Sequence, residues 1–145
     1  MTLFKTMDLT AAGMSAQRTR MNVAAMNLAN KSTTRSEDGT PYRRRDVVLE
    51  ATTRNDFGDA FASAMGEEDA MGVRVRDIVE SNDEPMLVYD PGHPDADAAG
   101  YVAMPNVNPI SEMVNLMGAA RAYEAGTTVL QTVRSMADQA LRIGR

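Results

Sequence analysis

The clearest structural signal in the sequence is the segment NPISEMVNLMGAARAYEAGTTVLQTVRSMADQALRI, residues 108–143. Asn108 can accept hydrogen bonds from the first free amides of a helix, and Pro109 suits the first turn, where its missing N–H costs nothing. Arg142 matches the negative end of the helix dipole, and Gly144 stands where helix terminators are common. These signals predict one long helix from Ile110 to Ile143.

Apolar residues follow this predicted helix in two neighbouring seams. The first seam consists of Met113, Leu116, Ala120, Tyr123, Thr127, Leu130, Ala137 and Leu141. The second consists of Val129, Val133, Met136, Ala140 and Ile143. Because one partner helix covers one seam, the second seam predicts an additional neighbour.

The amino-terminal segment has the same character. No proline interrupts Leu3 to Ala29, and its Ala, Met, Leu and Arg residues favour a helix, with Asn30 as a left-handed terminator. One seam recurs every seven residues at Met7, Met14, Met21 and Leu28. A second seam runs through Leu9, Ala12, Ala16, Thr19, Val23 and Met26. This helix too has more apolar surface than one partner covers.

The predicted helices are long for so small a chain. Their lengths are roughly 50 Å and roughly 40 Å at 1.5 Å per residue, whereas a solid globule of 145 residues is roughly 40 Å across. Pairing the two helices leaves a second apolar stripe on each, and such patches mark interfaces. We therefore expect the helical arm to become ordered on assembly. A long helical hairpin, stable as a monomer or simple dimer, is the alternative.

The middle of the chain, residues 31–108, is richer in Thr, Asp, Gly, Pro and Val. Tyr42–Glu50, Gly72–Glu80 and Met86–Tyr89 are β-prone and predict a small antiparallel sheet or hairpin. Residues 52–71 show no sustained period and predict a mobile loop, in which Phe57, Phe61 and Met65 could form one amphipathic turn.

The expected fold is mainly α with a small β region. Long amino- and carboxy-terminal helices form a coiled-coil-like core, with short antiparallel strands between them. The expected segments are an amino-terminal core helix (1–30), a small β-rich region (31–108) and a carboxy-terminal core helix (109–145).

Composition argues against several functional classes. A net charge of −5 and a pI of about 4.8 disfavour a nucleic-acid partner. No cysteine is present, so neither a disulfide framework nor a thiolate metal site is available. No apolar run approaches the roughly 18 residues of a membrane span, and the first residues lack the features of a secretory signal. We expect no membrane insertion, and any export must use a route other than a secretory signal.

The single histidine lies in an acidic loop with Asp90, Asp95 and Asp97. His93 and these carboxylates suggest a metal site, but as a calcium loop the stretch lacks suitable ligands at the fifth and twelfth positions. Its prolines and glycine instead predict successive turns. With no nucleophile elbow or phosphate-binding glycine loop, we expect no catalytic residue, cofactor or metal, and no enzyme. A metal-binding protein and a soluble coiled-coil adaptor remain alternatives.

Several motifs resemble the flagellar rod and hook axial protein family. MNLAN at residues 26–30 contains the Asn-Leu-Ala-Asn element that rod and hook proteins share. DPGHPDAD at 90–97 and GYVAMPNVN at 100–108 resemble the signature of a proximal-rod subunit. PYRRRDVV at 41–48, EMV at 112–114, RAYEA at 121–125 and LRIGR at 141–145 are also similar to this family.

The resemblance implies a structural subunit of the bacterial flagellar basal-body rod, the drive shaft that transmits torque. It further implies export through the flagellar type III apparatus without a cleaved signal, and assembly in the periplasm. The implied partners are copies of the chain itself, proximal and distal rod subunits and the membrane-ring junction.

The resemblance and the apolar seams together assign expected roles to individual residues. Subunit contacts are expected at Met7, Met14, Met21, Leu28, Met113, Leu116, Tyr123, Leu130, Val133 and Leu141. Asn27 and Asn30 are expected to cap the first helix and fix the turn into the β region. Asn106 and Asn108 belong to the motif before the second helix, with Asn108 as its cap.

Overall fold

The computed structural model describes residues 3–52 and 72–143. Apart from Thr52, the loop predicted at 52–71 lies outside the described residues. The amphipathic turn predicted at Phe57, Phe61 and Met65 also lies outside them.

Two long helices confirm the main expectation from the sequence. Helix α1 spans Leu3–Ala29 and helix α2 spans Pro109–Ile143. Asn108 lies immediately before α2, where its side-chain oxygen accepts a hydrogen bond from the Ile110 amide at 3.0 Å. Neither described helix has a segment long and apolar enough to span a membrane.

In the described residues between the helices, four strands form two small sheets. Strand β1 spans Arg45–Thr52 and pairs with β2, Gly72–Glu80; strand β3 spans Met86–Tyr89 and pairs with β4, Tyr101–Met104. Ion pairs join Arg45 to Glu80 at 2.8 Å and Arg74 to Glu50 at 2.9 Å, so β1 and β2 run antiparallel. The second pair is antiparallel, with Met86 opposite Met104 and Tyr89 opposite Tyr101. The expectation of short antiparallel strands is confirmed, but they form two sheets.

Two local expectations differ from the structure. The strand predicted from Tyr42 begins at Arg45, because the Tyr42 amide donates to the Thr33 carbonyl at 3.1 Å instead of to a strand. Asn30 does not terminate α1 in a left-handed conformation, since no non-glycine residue in the described ranges has a positive φ. Its side-chain amide instead donates to the Met26 carbonyl at 2.9 Å and satisfies one of the last carbonyls of the helix.

The turn between β3 and β4 requires glycine at position 100. Gly100 has a φ of 83°, in the left-handed region. A Cβ added there would lie 2.9 Å from Cε2 of Tyr89 and 3.3 Å from Cβ of Pro91. Both the backbone conformation and the space therefore exclude a side chain.

Replacing Gly100 with alanine is expected to lower the free energy of unfolding by about 1–3 kcal/mol, because left-handed strain and steric overlap add. Gly118→Ala is the matched control. Its added Cβ has no neighbour within 4 Å, and alanine favours the helix, so stability should rise by up to about 1 kcal/mol. Urea denaturation followed by circular dichroism measures both changes; equal effects would contradict this account of Gly100.

The chain falls into two compact units. One comprises Met1–Thr19, Val48–Asp77 and Ala119–Arg145, and the other comprises Arg20–Val47 and Ile78–Gly118. In the described part of the first unit, the buried apolar residues are Ala16, Ala119 and Val133. Those of the second unit are Val23, Ala24, Val102 and Val107, accompanied by the buried polar residues Asn27 and Glu112. The buried residues of both cores have mainly small side chains, and the larger apolar residues are half-buried or exposed.

Candidate functional site

A buried amide, Asn27, joins three parts of the chain. Its side chain is 1% exposed. Its Nδ2 donates to the Arg45 carbonyl at 2.8 Å and to Oε2 of Glu112 at 3.0 Å. Its Oδ1 accepts from the Arg45 amide and from the Tyr42 hydroxyl, both at 2.9 Å. Asn27 therefore links α1 by hydrogen bonds to the start of β1 and to the first turn of α2.

Glu112 is the charged member of this polar cluster. It is 2% exposed, and its Oε1 accepts from Nε of Arg44 at 2.8 Å. Arg44 also pairs with Asp46. Burying a carboxylate is costly unless it is paired and hydrogen-bonded, and both conditions are met at Glu112.

Two pKa shifts indicate which protonation states Arg44 and Tyr42 have in the polar cluster. Burial opposes the charged form of Arg44, but its hydrogen bond to Glu112 and the charges of Asp46 and Glu112 outweigh burial and raise its pKa. Burial also raises the pKa of the Tyr42 hydroxyl, against the lowering effect of Arg45. At neutral pH Arg44 is therefore charged, and Tyr42 stays protonated as the donor to Asn27.

The four asparagines that the sequence singled out occupy different positions. Asn27 lies within α1, and its side chain bonds to β1 and α2 instead of to the helix end. Asn30 bonds to the end of α1, and its Oδ1 also accepts from the Thr33 hydroxyl at 3.1 Å. Asn106 donates to the Glu84 carbonyl at 3.3 Å, and Asn108 lies at the start of α2.

A close contact joins α1 and α2 within the first unit. Gly126 on α2 lies against Met14 on α1, and a Cβ built on Gly126 would be 2.6 Å from Cγ and 3.1 Å from Sδ of Met14. The absence of a side chain at position 126 thus provides the space that Met14 occupies.

This contact predicts a strong coupling between Gly126→Ala and Met14→Ala. With Met14 present, the added methyl overpacks the site at a cost of about 1–3 kcal/mol, which opposes the roughly 1 kcal/mol gained in helix propensity. With alanine at position 14, only the propensity gain remains. A double-mutant cycle measured by urea denaturation should give a coupling of at least about 1 kcal/mol. Additive effects would contradict the contact.

The residues predicted at subunit contacts differ in exposure. Val133 is buried within the chain, whereas Met113 is exposed and Leu141 is 72% exposed. The remaining seven are half-buried: Met7, Met14, Met21, Leu28, Leu116, Tyr123 and Leu130. The most covered apolar residues of α1, Ala16 and Val23, belong to the other predicted seam.

An apolar stripe remains exposed on the first two turns of α2. It consists of Ile110, Met113, Val114 and Met117, which we call the α2 stripe. Their i, i+3, i+4, i+7 spacing places them on one helix face. Of these four, sequence reasoning had assigned only Met113 to a contact, although the same spacing was available for all. Val129 and Met136, from the second predicted seam, are also exposed farther along the helix.

The acidic loop forms hydrogen-bonded turns. Oδ1 of Asp90 accepts from the Gly92 amide at 3.2 Å, and Nδ1 of His93 accepts from the Asp95 amide at 3.1 Å. Oδ1 of Asp97 accepts from the Ala99 amide at 2.8 Å and from the Tyr101 amide at 2.9 Å. Across the described ranges, no group of three or more His, Cys, Asp or Glu residues could hold a metal ion.

The sequence is similar to those of flagellar basal-body rod proteins. Residues 98–143 match the family model described as flagellar basal body rod FlgEFG protein C-terminal. The chain is 43% identical over 145 residues to the flagellar basal-body rod protein FlgC of Escherichia coli O6:H1, with all of both chains covered. It is 39% identical over 155 residues to FlgC of Bacillus subtilis, again over all of both chains. FlgC of Borreliella burgdorferi is 40% identical over 149 residues, covering 99% of this chain and 98% of the relative.

Proposed function

This chain belongs to the FlgC family of flagellar basal-body rod proteins, and we propose that it builds the rod by burying the exposed faces of its terminal helices against neighbouring subunits. It is a structural rod subunit of the basal body, not an enzyme, and it assembles with other rod components. The alternatives, a metal-binding protein or a soluble coiled-coil adaptor, receive no support from these relatives.

The α2 stripe is the observation that carries the proposal. Four residues on one helix face, at i, i+3, i+4 and i+7, expose large apolar side chains although α2 already contacts α1 through its other side. Each such side chain gains about 1.5–3 kcal/mol when it leaves water completely. Burial in an assembly supplies this gain, and a monomer does not.

We further propose that α1 and α2 pair as an antiparallel, coiled-coil-like core. Two contacts support this arrangement: Met14 lies against Gly126, and Asn27 bonds to Glu112, so residue numbers rise along α1 as they fall along α2. Buried and half-buried residues of α2 also follow alternating four- and three-residue steps. These residues are Glu112, Leu116, Ala119, Tyr123, Gly126, Leu130, Val133 and Ala137.

In this account one side of each helix holds its partner within the chain and the other side holds the next subunit. A shaft built from continuously packed helices resists twisting because close-packed interiors transmit strain. The proposed neighbours are copies of this chain, proximal and distal rod subunits and the membrane-ring junction. Family membership supports two further proposals: a periplasmic position, and delivery through the flagellar type III export apparatus.

Deleting the gene for this chain tests the proposal directly. Purified basal bodies from the deletion strain, viewed by electron microscopy, should lack a complete rod, and cells should not swim. A plasmid carrying the gene should restore both, whereas the empty plasmid should not. Complete rods in the deletion strain would contradict the proposed role.

A further inference from the structure

We propose that the outer face of the β3–β4 hairpin binds a different protein, through an apolar surface bordered by Lys or Arg. The inference rests on the proposed function, since it names a partner of the rod subunit. The hairpin lies entirely in one unit, at 86–104.

Strand register separates the two faces of the hairpin. Residues directly opposite each other in an antiparallel pair point to the same side, so Leu87, Tyr89, Tyr101 and Ala103 share one face. Met86, Val88 and Val102 share the other face. Val102 is 0% exposed, Val88 40% and Met86 55%, so this second face is the more covered of the two, and we call the first the outer face. The outer face carries Leu87 at 69%, Tyr89 at 65% and Tyr101 at 43% exposure.

The outer face has the side chains of a binding surface. The rings of Tyr89 and Tyr101 lie edge to face with their centroids 5.3 Å apart, a contact that favours this arrangement of the two rings. Tyrosine is enriched among the residues that dominate binding energy at interfaces. Little side-chain entropy is lost when such a paired surface is covered.

The charge around this face specifies the partner's chemistry. Residues 78–118 contain seven carboxylates, of which Glu80, Asp95 and Glu112 pair with arginines at positions 45, 35 and 44. Of the other four, Glu84 and Asp90 are exposed and stand just before and just after β3. A surface that covers Leu87 and Tyr89 therefore meets negative charge at both ends of the strand. Complementarity requires Lys or Arg at the border of the partner's apolar surface.

The same charge argues against a second hairpin as the partner. A two-fold contact between two outer faces would bring Glu84 and Asp90 of both copies together, and like charges repel. The other sheet of this chain offers no strongly basic face either, because its three arginines (Arg45, Arg74 and Arg76) are outnumbered by its four carboxylates (Asp46, Glu50, Asp77 and Glu80). A different protein with a basic border is the occupant that fits.

Site-specific photo-cross-linking in purified basal bodies tests this inference. A benzophenone amino acid replaces Leu87 in one strain and Met117, on the α2 stripe, in another. We expect the probe at position 87 to form an adduct with a different basal-body protein, whose cross-linked peptide contains Lys or Arg when identified by mass spectrometry. Adducts with a second copy, or with a peptide lacking basic residues, would overturn the inference.

Charge reversal supplies a second readout. Glu84→Lys combined with Asp90→Lys should reduce the adduct by roughly tenfold, the effect of about 1.4 kcal/mol from two reversed ion pairs. Glu37→Lys combined with Asp38→Lys makes the same charge change at exposed positions elsewhere and should leave the adduct unchanged. An unchanged adduct in both variants would contradict a basic partner. Circular dichroism of each purified variant confirms that the chain is folded.

The probe at Met117 separates this inference from the proposed function. If position 117 cross-links and position 87 does not, the hairpin proposal fails and the rod-subunit proposal stands. If position 117 forms no adduct in assembled basal bodies, the proposed burial of the helix faces fails instead.

Discussion

Replacing Asn27 with alanine is expected to lower the free energy of unfolding by about 3–5 kcal/mol, a large part of the stability of a small domain. The substitution removes four hydrogen bonds at once. It leaves Glu112 with one fewer donor at a buried position, and it leaves the Arg45 amide without its acceptor. Urea denaturation followed by circular dichroism measures the loss.

Asn22→Ala is the matched control for this prediction. Asn22 lies on the same helix five positions earlier and is exposed, so its replacement should change stability by no more than about 0.5 kcal/mol. A loss below about 1 kcal/mol for Asn27→Ala would show that the polar cluster does not hold the chain together.

Asn27→Asp tests the same polar cluster with a side chain of nearly the same shape but with a negative charge. A carboxylate at position 27 would stand beside Glu112, whose Oε2 is 3.0 Å from Nδ2 of Asn27. Like charges at this distance raise the pKa of the pair in the folded state. Stability should therefore fall as the pH rises through that raised pKa, and recover as the pH is lowered. A loss that does not depend on pH would contradict electrostatic repulsion as the cause.

The second large effect is expected on assembly. Met113→Asp combined with Met117→Asp should abolish rod formation and swimming while leaving the purified chain folded. Both side chains are exposed in the chain but would be buried in the rod. Met113 and Met117 are 49% and 51% exposed, so about half of their burial remains to be gained on assembly. Losing both costs about 1.5–3 kcal/mol, equivalent to roughly 10–10²-fold in affinity, and the added charges increase the loss. Swimming in soft agar and electron microscopy of basal bodies measure the outcome.

Ser111→Asp combined with Asn115→Asp is the matched control. It adds the same charge to the same helix at exposed positions outside the α2 stripe. Normal swimming in the control and none in the stripe variant is the expected result, with equal urea midpoints for both purified chains. Leu116→Asp is less informative, because Leu116 is half-buried and its replacement also threatens the fold. Normal rods in the stripe variant would contradict burial of this face.

The helices were predictable because their signals are local. The predicted first helix matches α1 at Leu3–Ala29, and α2 begins one residue before the predicted start. Propensity, an asparagine cap and proline at the first position act within a few residues. Strand β4 was missed because four residues, Tyr101–Met104, are too few for a clear alternation and are defined by their pairing with β3.

The polar cluster was not predictable in the same way. Glu112 in a helix sequence suggests a solvated acid near a positive helix end. Its partner Arg44 is 68 positions away, and only the fold brings the two together. Asn27 was singled out by its motif, but its role as a link to β1 and α2 depends on equally distant residues. Periodicity likewise identifies two seams without indicating that Ala16 and Val23, and not Met14 and Met21, are the more deeply buried.

We propose that the rod buries the apolar helix faces that the single chain exposes. Because the sequence has no cysteine, Met117→Cys introduces a unique reactive thiol, and Asp38→Cys provides one on an exposed turn as a control. Maleimide labelling rates are compared between the purified chain and purified basal bodies. The account predicts fast labelling of both sites in the free chain, with protection of position 117 alone after assembly. Equally fast labelling of position 117 in assembled rods would contradict it.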